Sequence, residues 1–213
     1  MTLQPIPASA TPRDPHWLHA FLTLAQGLVV AGAKAKIIVR FTGFYHSQIK
    51  EMYKALRGTR PPPGPIVQAS ATYFARPSKR SSAATRIQYI IFLGCYSRLS
   101  QGMTIPVHRG WLLLSAYNSY LSLTQPLYET TAVKRLNINQ AYALLTYCGF
   151  MEGSNVAALR MRQCPDCSIN YPVTAKDAPD SDVCPVCAIS ANFQRLAEQS
   201  SRNKSEAAVL RKP

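Results

Sequence analysis

Acidic residues are scarce: ten Asp and Glu stand against 24 Lys and Arg in 213 residues, a formal charge of +14 at neutral pH. Charged residues together reach only 16%, below the quarter usual for globular proteins. Long apolar runs are missing as well. The stretch Leu22 to Val39 is interrupted by Gln26, Lys34 and Lys36, so no window reaches the roughly 18 uncharged residues that a membrane span needs. Met1 to Pro12 carry neither a basic start nor a compact apolar run, which argues against a secretory signal. The sequence has no nucleophile paired with a base, no carboxylate pair and no phosphate loop, so an enzyme is the weakest reading. These absences leave a cytoplasmic protein with a polyanionic partner as the first expectation.

The charge that is present is concentrated. Residues 1–128 hold 14 basic residues against only Asp14 and Glu51, whereas residues 129–213 hold 10 basic and 8 acidic residues. Between Cys164 and Cys187 the sign reverses, with Asp166, Asp177, Asp180 and Asp182 against Lys176. The N-terminal two-thirds is the part that attracts anions.

Apolar spacing predicts a mainly α protein. Trp17, Phe21, Leu24, Leu28 and Ala31 alternate steps of four and three, with Asp14 as N-cap and Pro15 in the first turn. The seam is heptad-like and suits either a partner helix or the core. Ala35 to Arg40, then Thr42 and Gly43, then Ile49, Met52, Tyr53 and Leu56 up to Gly58 trace a helix-turn-helix outline. His46, Gln48, Lys50, Lys54 and Arg57 on its second helix are candidate DNA contacts, with Gln48 expected to affect site preference and Lys54 to meet phosphate. Pro61, Pro62 and Pro63 make a stiff connector after it. Three further helices are predicted over Arg86–Leu99, Gly110–Leu121 and Ile138–Phe150. Their expected inward faces carry Ile87, Ile90, Ile91 and Gly94, then Leu113, Tyr117, Tyr120 and Leu121, then Ala141, Leu144, Leu145 and Cys148. Cys95 and Cys148 read as small buried residues, and most of the eleven tyrosines as packing.

Cys164, Cys167, Cys184 and Cys187 follow the spacing C-x2-C-x16-C-x2-C. That pattern reads as a closed four-cysteine Zn2+ site; rubredoxin-like iron and a dithiol redox pair are the alternatives. Four thiolates on Zn2+ carry a net charge of −2, so DNA contacts from this region would fall to its flanks, Arg160 and Arg162 before it and Arg195, Arg202 and Lys204 after it. The expected organisation is a flexible N-terminus at 1–13, a helical DNA-binding and oligomerisation body at 14–158, a zinc-binding region at 159–190 and a basic tail at 191–213.

The run Ile49-Lys50-Glu51-Met52-Tyr53-Lys54-Ala55-Leu56-Arg57-Gly58-Thr59, followed by Pro61 to Pro63 and Gly64, resembles the Lys-Leu-Tyr-Lys-Glu-Leu-Arg-Gly-Ser-Pro-Pro segment of the FlhC family, the zinc-containing subunits of a flagellar master regulator. Ala116 to Leu121, Asn139 to Leu145 and the four cysteines resemble that family in consistent order across about residues 15 to 190. The resemblance implies a helical body with a zinc region and a heterohexamer with an FlhD-like subunit. It also implies promoter DNA binding that recruits RNA polymerase to flagellar operons. Two segments depart from the family: Tyr45 to Gln48 replace a Ser-Arg-Gly-Arg type start, and Ile66 to Phe74 lack the family's acid and tryptophan. The alternatives are an FlhC-like paralogue regulating non-flagellar genes, or a zinc-stabilised protein-interaction adaptor.

Overall fold

The computed structural model describes residues 6–66, 70–76, 82–103, 106–130, 135–151, 157–175, 184–195 and 199. Helix α1 spans Pro15–Val30 and starts where the Asp14 carboxylate accepts the His16 N–H at 2.9 Å, with proline at its first position. Phe21, Leu24, Ala25, Leu28 and Val29 are buried along it. The seam read from the sequence is therefore largely the helix's own core face. Helix α2, Ala35–Thr42, ends at Gly43, whose φ of 67° lies in the left-handed region. A Cβ there would be strained and would also meet Pro12 Cγ at 3.0 Å. Helix α3 follows at His46–Arg57 and closes at Gly58. Helices α1, α2 and α3 pack on one another, the three-helix setting of a helix-turn-helix.

After the short α4, Ala71–Ala75, come α5, Ala83–Gln101, and α6, Arg109–Thr130. These two long helices pack along each other, and α7, Ile138–Tyr147, packs on both. Helix α6 runs beyond the predicted stop at Leu121 and contains Pro126. Pro126 lacks the N–H that would close one rung of the helical ladder, yet α6 continues through it to Thr130. Helix α1 lies so close to α6 that a Cβ at Gly27 would come within 2.5 Å of Leu114 Cδ2. A buried network ties the segment after α6 to the pair: Tyr120 Oη donates to Gln88 Oε1 at 2.7 Å, and the Leu136 N–H donates to the same oxygen at 2.9 Å. Tyr53, Tyr89, Tyr120 and Tyr142 are among the largest fully buried side chains, so these tyrosines are packing residues.

The inward face of α5 differs from the expected one. Tyr89, Phe92, Leu93 and Tyr96 are buried, Gly94 is exposed, and Ile87, Ile90 and Ile91 are half-buried. The reason is that α5 is sandwiched: its Tyr89 side enters the helical core while Ile90 packs against the cysteine region. That region begins with the antiparallel hairpin of β1, Leu159–Gln163, and β2, Asn170–Thr174, in which Arg160 pairs with Val173 and Arg162 with Tyr171. A helix at 185–195, α8, follows. It runs across the expected boundary between zinc region and tail at 190/191. Arg202, Lys204 and Lys176 lie outside the described residues.

Within the stretch 1–13 expected to be flexible, residues 6–8 are held in place. Ile6 is fully buried, Pro7 bridges Val107, and the Ala8 N–H donates to the Pro106 carbonyl at 2.9 Å. Burial of one large apolar side chain and two strand-like hydrogen bonds hold residues 6–8 against the entry to α6.

Candidate nucleic-acid interface and metal centre

The position of α3 is set by a set of hydrogen bonds gathered on the turn between α1 and α2. Asn139 of α7, 105 residues away in sequence from Lys34, accepts the Lys34 N–H on Oδ1 at 2.8 Å and donates from Nδ2 to the Gly32 carbonyl at 3.0 Å. Tyr53 Oη of α3 donates to the Ala33 carbonyl. Arg57 Nη1 donates to the Val30 carbonyl at 2.7 Å and the Val29 carbonyl at 3.3 Å, satisfying the C-terminal end of α1. Lys34 is buried, its Nζ donates to the Pro65 carbonyl, and burial pulls its pKa below the usual lysine value. The turn thus binds α7, α3 and the proline connector at once.

A groove of about 870 Å3 opens between the start of α2, the length of α3 and the connector Arg60 to Gly64. Lys34, Lys36, His46, Lys50, Lys54 and Arg60 line it, with Glu51 as its one acid. The first turn of α2 contains no acidic residue, and the side chain of Lys34 does not cap it. Backbone N–H groups at a helix start attract anions, and lysines placed there add to that field. Proline cannot donate a backbone hydrogen bond and keeps the opposite wall stiff.

Of the ten residues expected to contact DNA, the structure brings His46, Lys50 and Lys54 together in this groove. Gln48 is exposed on the same helix, but its Oε1 accepts the Tyr45 N–H at 2.8 Å, which caps the start of α3. Arg57 is engaged at the end of α1. Arg160 and Arg162 sit on β1, whose hairpin packs through β2 on α4 and α5, and they do not line the groove. Sequence reasoning missed Lys36 and Arg60 as groove residues and Asn139 as the clasp behind them. Only the fold juxtaposes them.

The four cysteines come together. Cys164 to Cys167 form the turn of the hairpin, closed by the Cys164 N–H donating to the Ile169 carbonyl and the Ser168 N–H to the Cys164 carbonyl, both at 2.9 Å. Ser168 takes a left-handed φ of 59° to complete it. Cys184 stands immediately before α8, and its carbonyl accepts the Ala188 N–H at 2.9 Å. The sulfurs of Cys164 and Cys187 are 3.7 Å apart and those of Cys167 and Cys184 3.6 Å, with all four within 4.8 Å. A metal–sulfur bond of about 2.3 Å in tetrahedral geometry gives edges of about 3.8 Å, so the donor set fits such an ion.

The backbone agrees with that chemistry. The N–H of Cys167 first, and that of Asp166 with it, point at the Cys164 sulfur and bring its thiol down to about 7 against the opposing effect of burial. Burial pushes the Cys184 thiol up, and the N–H groups of Cys187 and Val186 oppose it from the first turn of α8. Each pair thus aims two amides at its first sulfur. Cys95 and Cys148 take no part, and burial raises both thiols, Cys148 to about 12.

The sequence model of the family described as flagellar transcriptional activator (FlhC) matches residues 19–200. The flagellar transcriptional regulator FlhC of Gallionella capsiferriformans (strain ES-2) is 24% identical over 168 residues, which cover 78% of this chain and 82% of that protein. The protein of the same description from Cupriavidus necator (strain ATCC 17699 / DSM 428 / KCTC 22496 / NCIMB 10442 / H16 / Stanier 337) is 26% identical over 168 residues, 78% of this chain and 73% of that protein.

Proposed function

The chain belongs to the FlhC family of flagellar transcriptional regulators, and from that premise we propose that it is the DNA-reading subunit of a hetero-oligomeric activator. On this reading it binds promoter DNA together with an FlhD-type subunit, engages RNA polymerase and activates flagellar operons from the cytoplasm, without enzymatic activity. The observation that carries the reading is the basic groove along α3 in a three-helix setting. Lys50 and Lys54 would neutralise phosphates on the flanks of α3, and His46 stands at the N-terminal end that meets base edges in helix-turn-helix proteins. Among the described residues no helix is long and apolar enough to cross a membrane.

Zn2+ is the ion we assign to Cys164, Cys167, Cys184 and Cys187, since four thiolates leave no open position and suit a structural ion. When bound it would cross-link the hairpin to α8. The adaptor alternative is weakened because Phe21, Leu24 and Leu28, the seam it would offer a partner, lie inside the protein's own core.

Binding of the zinc-loaded chain with an FlhD-type subunit to a flagellar promoter and to scrambled DNA, across a salt series, tests the reading. Expected are preference for the promoter and a log-log slope of about −0.9 per phosphate contact, reduced by about one in Lys54→Ala. Equal, salt-insensitive binding to both would favour the adaptor, and preference for non-flagellar sequences the paralogue.

A further inference from the structure

Residues 1–128 contain two acids, and one of them, Asp14, is committed to capping α1. The other, Glu51, is exposed on α3 and lines the basic groove with Lys50 and Lys54. At 100° per residue it stands on the side of the helix opposite the buried Ile49 and Tyr53, hence on the solvent-facing side of α3. A carboxylate at that point is repelled by phosphate and loses hydration when a duplex covers it, so it weakens binding to DNA in general. The loss is offset only where the duplex presents a donor to it. The major groove offers two amino donors, and the cytosine 4-amino group is the one a carboxylate side chain accepts from, because the adenine 6-amino group stands beside the N7 acceptor, which repels a carboxylate.

We propose that Glu51 is a specificity-determining residue that reads one cytosine of the target site and rejects the other bases because their major-groove edges set acceptors against its carboxylate. The assignment rests on the DNA-reading role of α3 given above. Lys50, the residue before, and Lys54, three residues after, supply the attraction that holds α3 in the groove, so discrimination at Glu51 is separable from affinity.

The test is selection from a randomised duplex pool by the full zinc-loaded chain with an FlhD-type subunit, run in parallel with Glu51→Ala and Glu51→Gln. The wild-type complex should enrich a site with an invariant C·G pair beneath α3. Glu51→Ala should bind unselected DNA at least as tightly as wild type, lose about tenfold of discrimination at that one pair and keep the rest of the site. Glu51→Gln should move the preference at that position towards adenine, the base that glutamine reads. An unchanged preference in both variants, or a loss of binding to all DNA alike, overturns the assignment and leaves the DNA-reading role standing. A wild-type complex that enriches no sequence overturns both.

Discussion

At the scale of single residues, the side chains that matter most for the candidate interface are those that do not face it. Asn139 supplies both an acceptor and a donor to the α1–α2 turn, so truncating it leaves the Lys34 N–H and the Gly32 carbonyl without partners in a partly buried place. Asn139→Ala should lower the unfolding free energy by about 2 kcal/mol, read as a shift in the urea midpoint. It should also speed amide exchange in α3. Gln48 illustrates the same division of labour. A residue chosen from the sequence as a base reader is spent on capping α3, and Gln48→Ala should therefore cost about 1 kcal/mol of stability in the absence of DNA, checked by thermal unfolding. No change in melting would return Gln48 to the recognition surface.

At the scale of elements, the turn between α2 and α3 decides the angle at which the second helix is presented. Gly43 holds a φ of 67° with Pro12 Cγ beside it. Gly43→Ala should cost about 1–2 kcal/mol through the left-handed conformation. DNA affinity should fall by more than the lost stability explains, because α3 would tilt relative to the groove lysines; a fall in melting temperature without loss of affinity would show that the turn matters for stability alone. Helix α5 shows why amphipathic patterns mislead when a helix is covered from two sides. Its mean pattern is nearly round, with Tyr89, Phe92 and Tyr96 serving the helical core and Ile90 the cysteine region. No single apolar stripe can be read from such a sequence.

At the scale of the whole molecule, two clusters divide the core, the helical body and a small cluster of Cys164, Tyr171, Val173 and Cys184. The second is too small to hold the hairpin and α8 by apolar burial alone, so metal removal should act there. A chelator should release the ion, abolish protection of amides in 159–175 and 185–195 and leave the helical signal of the body largely intact, as followed by hydrogen exchange and circular dichroism. Uniform loss of protection would mean that the body depends on the metal too. Alkaline pH should act on the body. Burial raises Tyr53 and Tyr117 to about 12, and Tyr96 in the same direction. A tyrosine in the unfolded chain ionises near 10. The folded state holds these protons longer, so its stability is intact below pH 10 and declines between 10 and 12 as only the unfolded chain releases them. Urea midpoints measured across that window should fall, and Tyr53→Phe should flatten part of the slope.

What the sequence by itself determined is what depends on near neighbours in the chain. Asp14, Pro15, Gly43 and Gly58 set the ends of α1, α2 and α3 because capping and left-handed backbone are local effects. The spacing of four cysteines called for one shared site, and the four sulfurs do gather, because a two-residue gap turns both sulfurs of a pair to one side. The net charge and its concentration before residue 129 pointed to the part of the chain that holds the groove. Only the tertiary structure decided which basic residues share a surface. It brought Lys36 and Arg60 beside Lys50 and Lys54, set Arg160 and Arg162 on a separate hairpin, and turned Arg57 to the end of α1. It also anchored Ile6 beside α6 and joined Asn139 to a turn 105 residues away. These are long-range pairings, settled by how whole helices pack, and no window of sequence contains both partners.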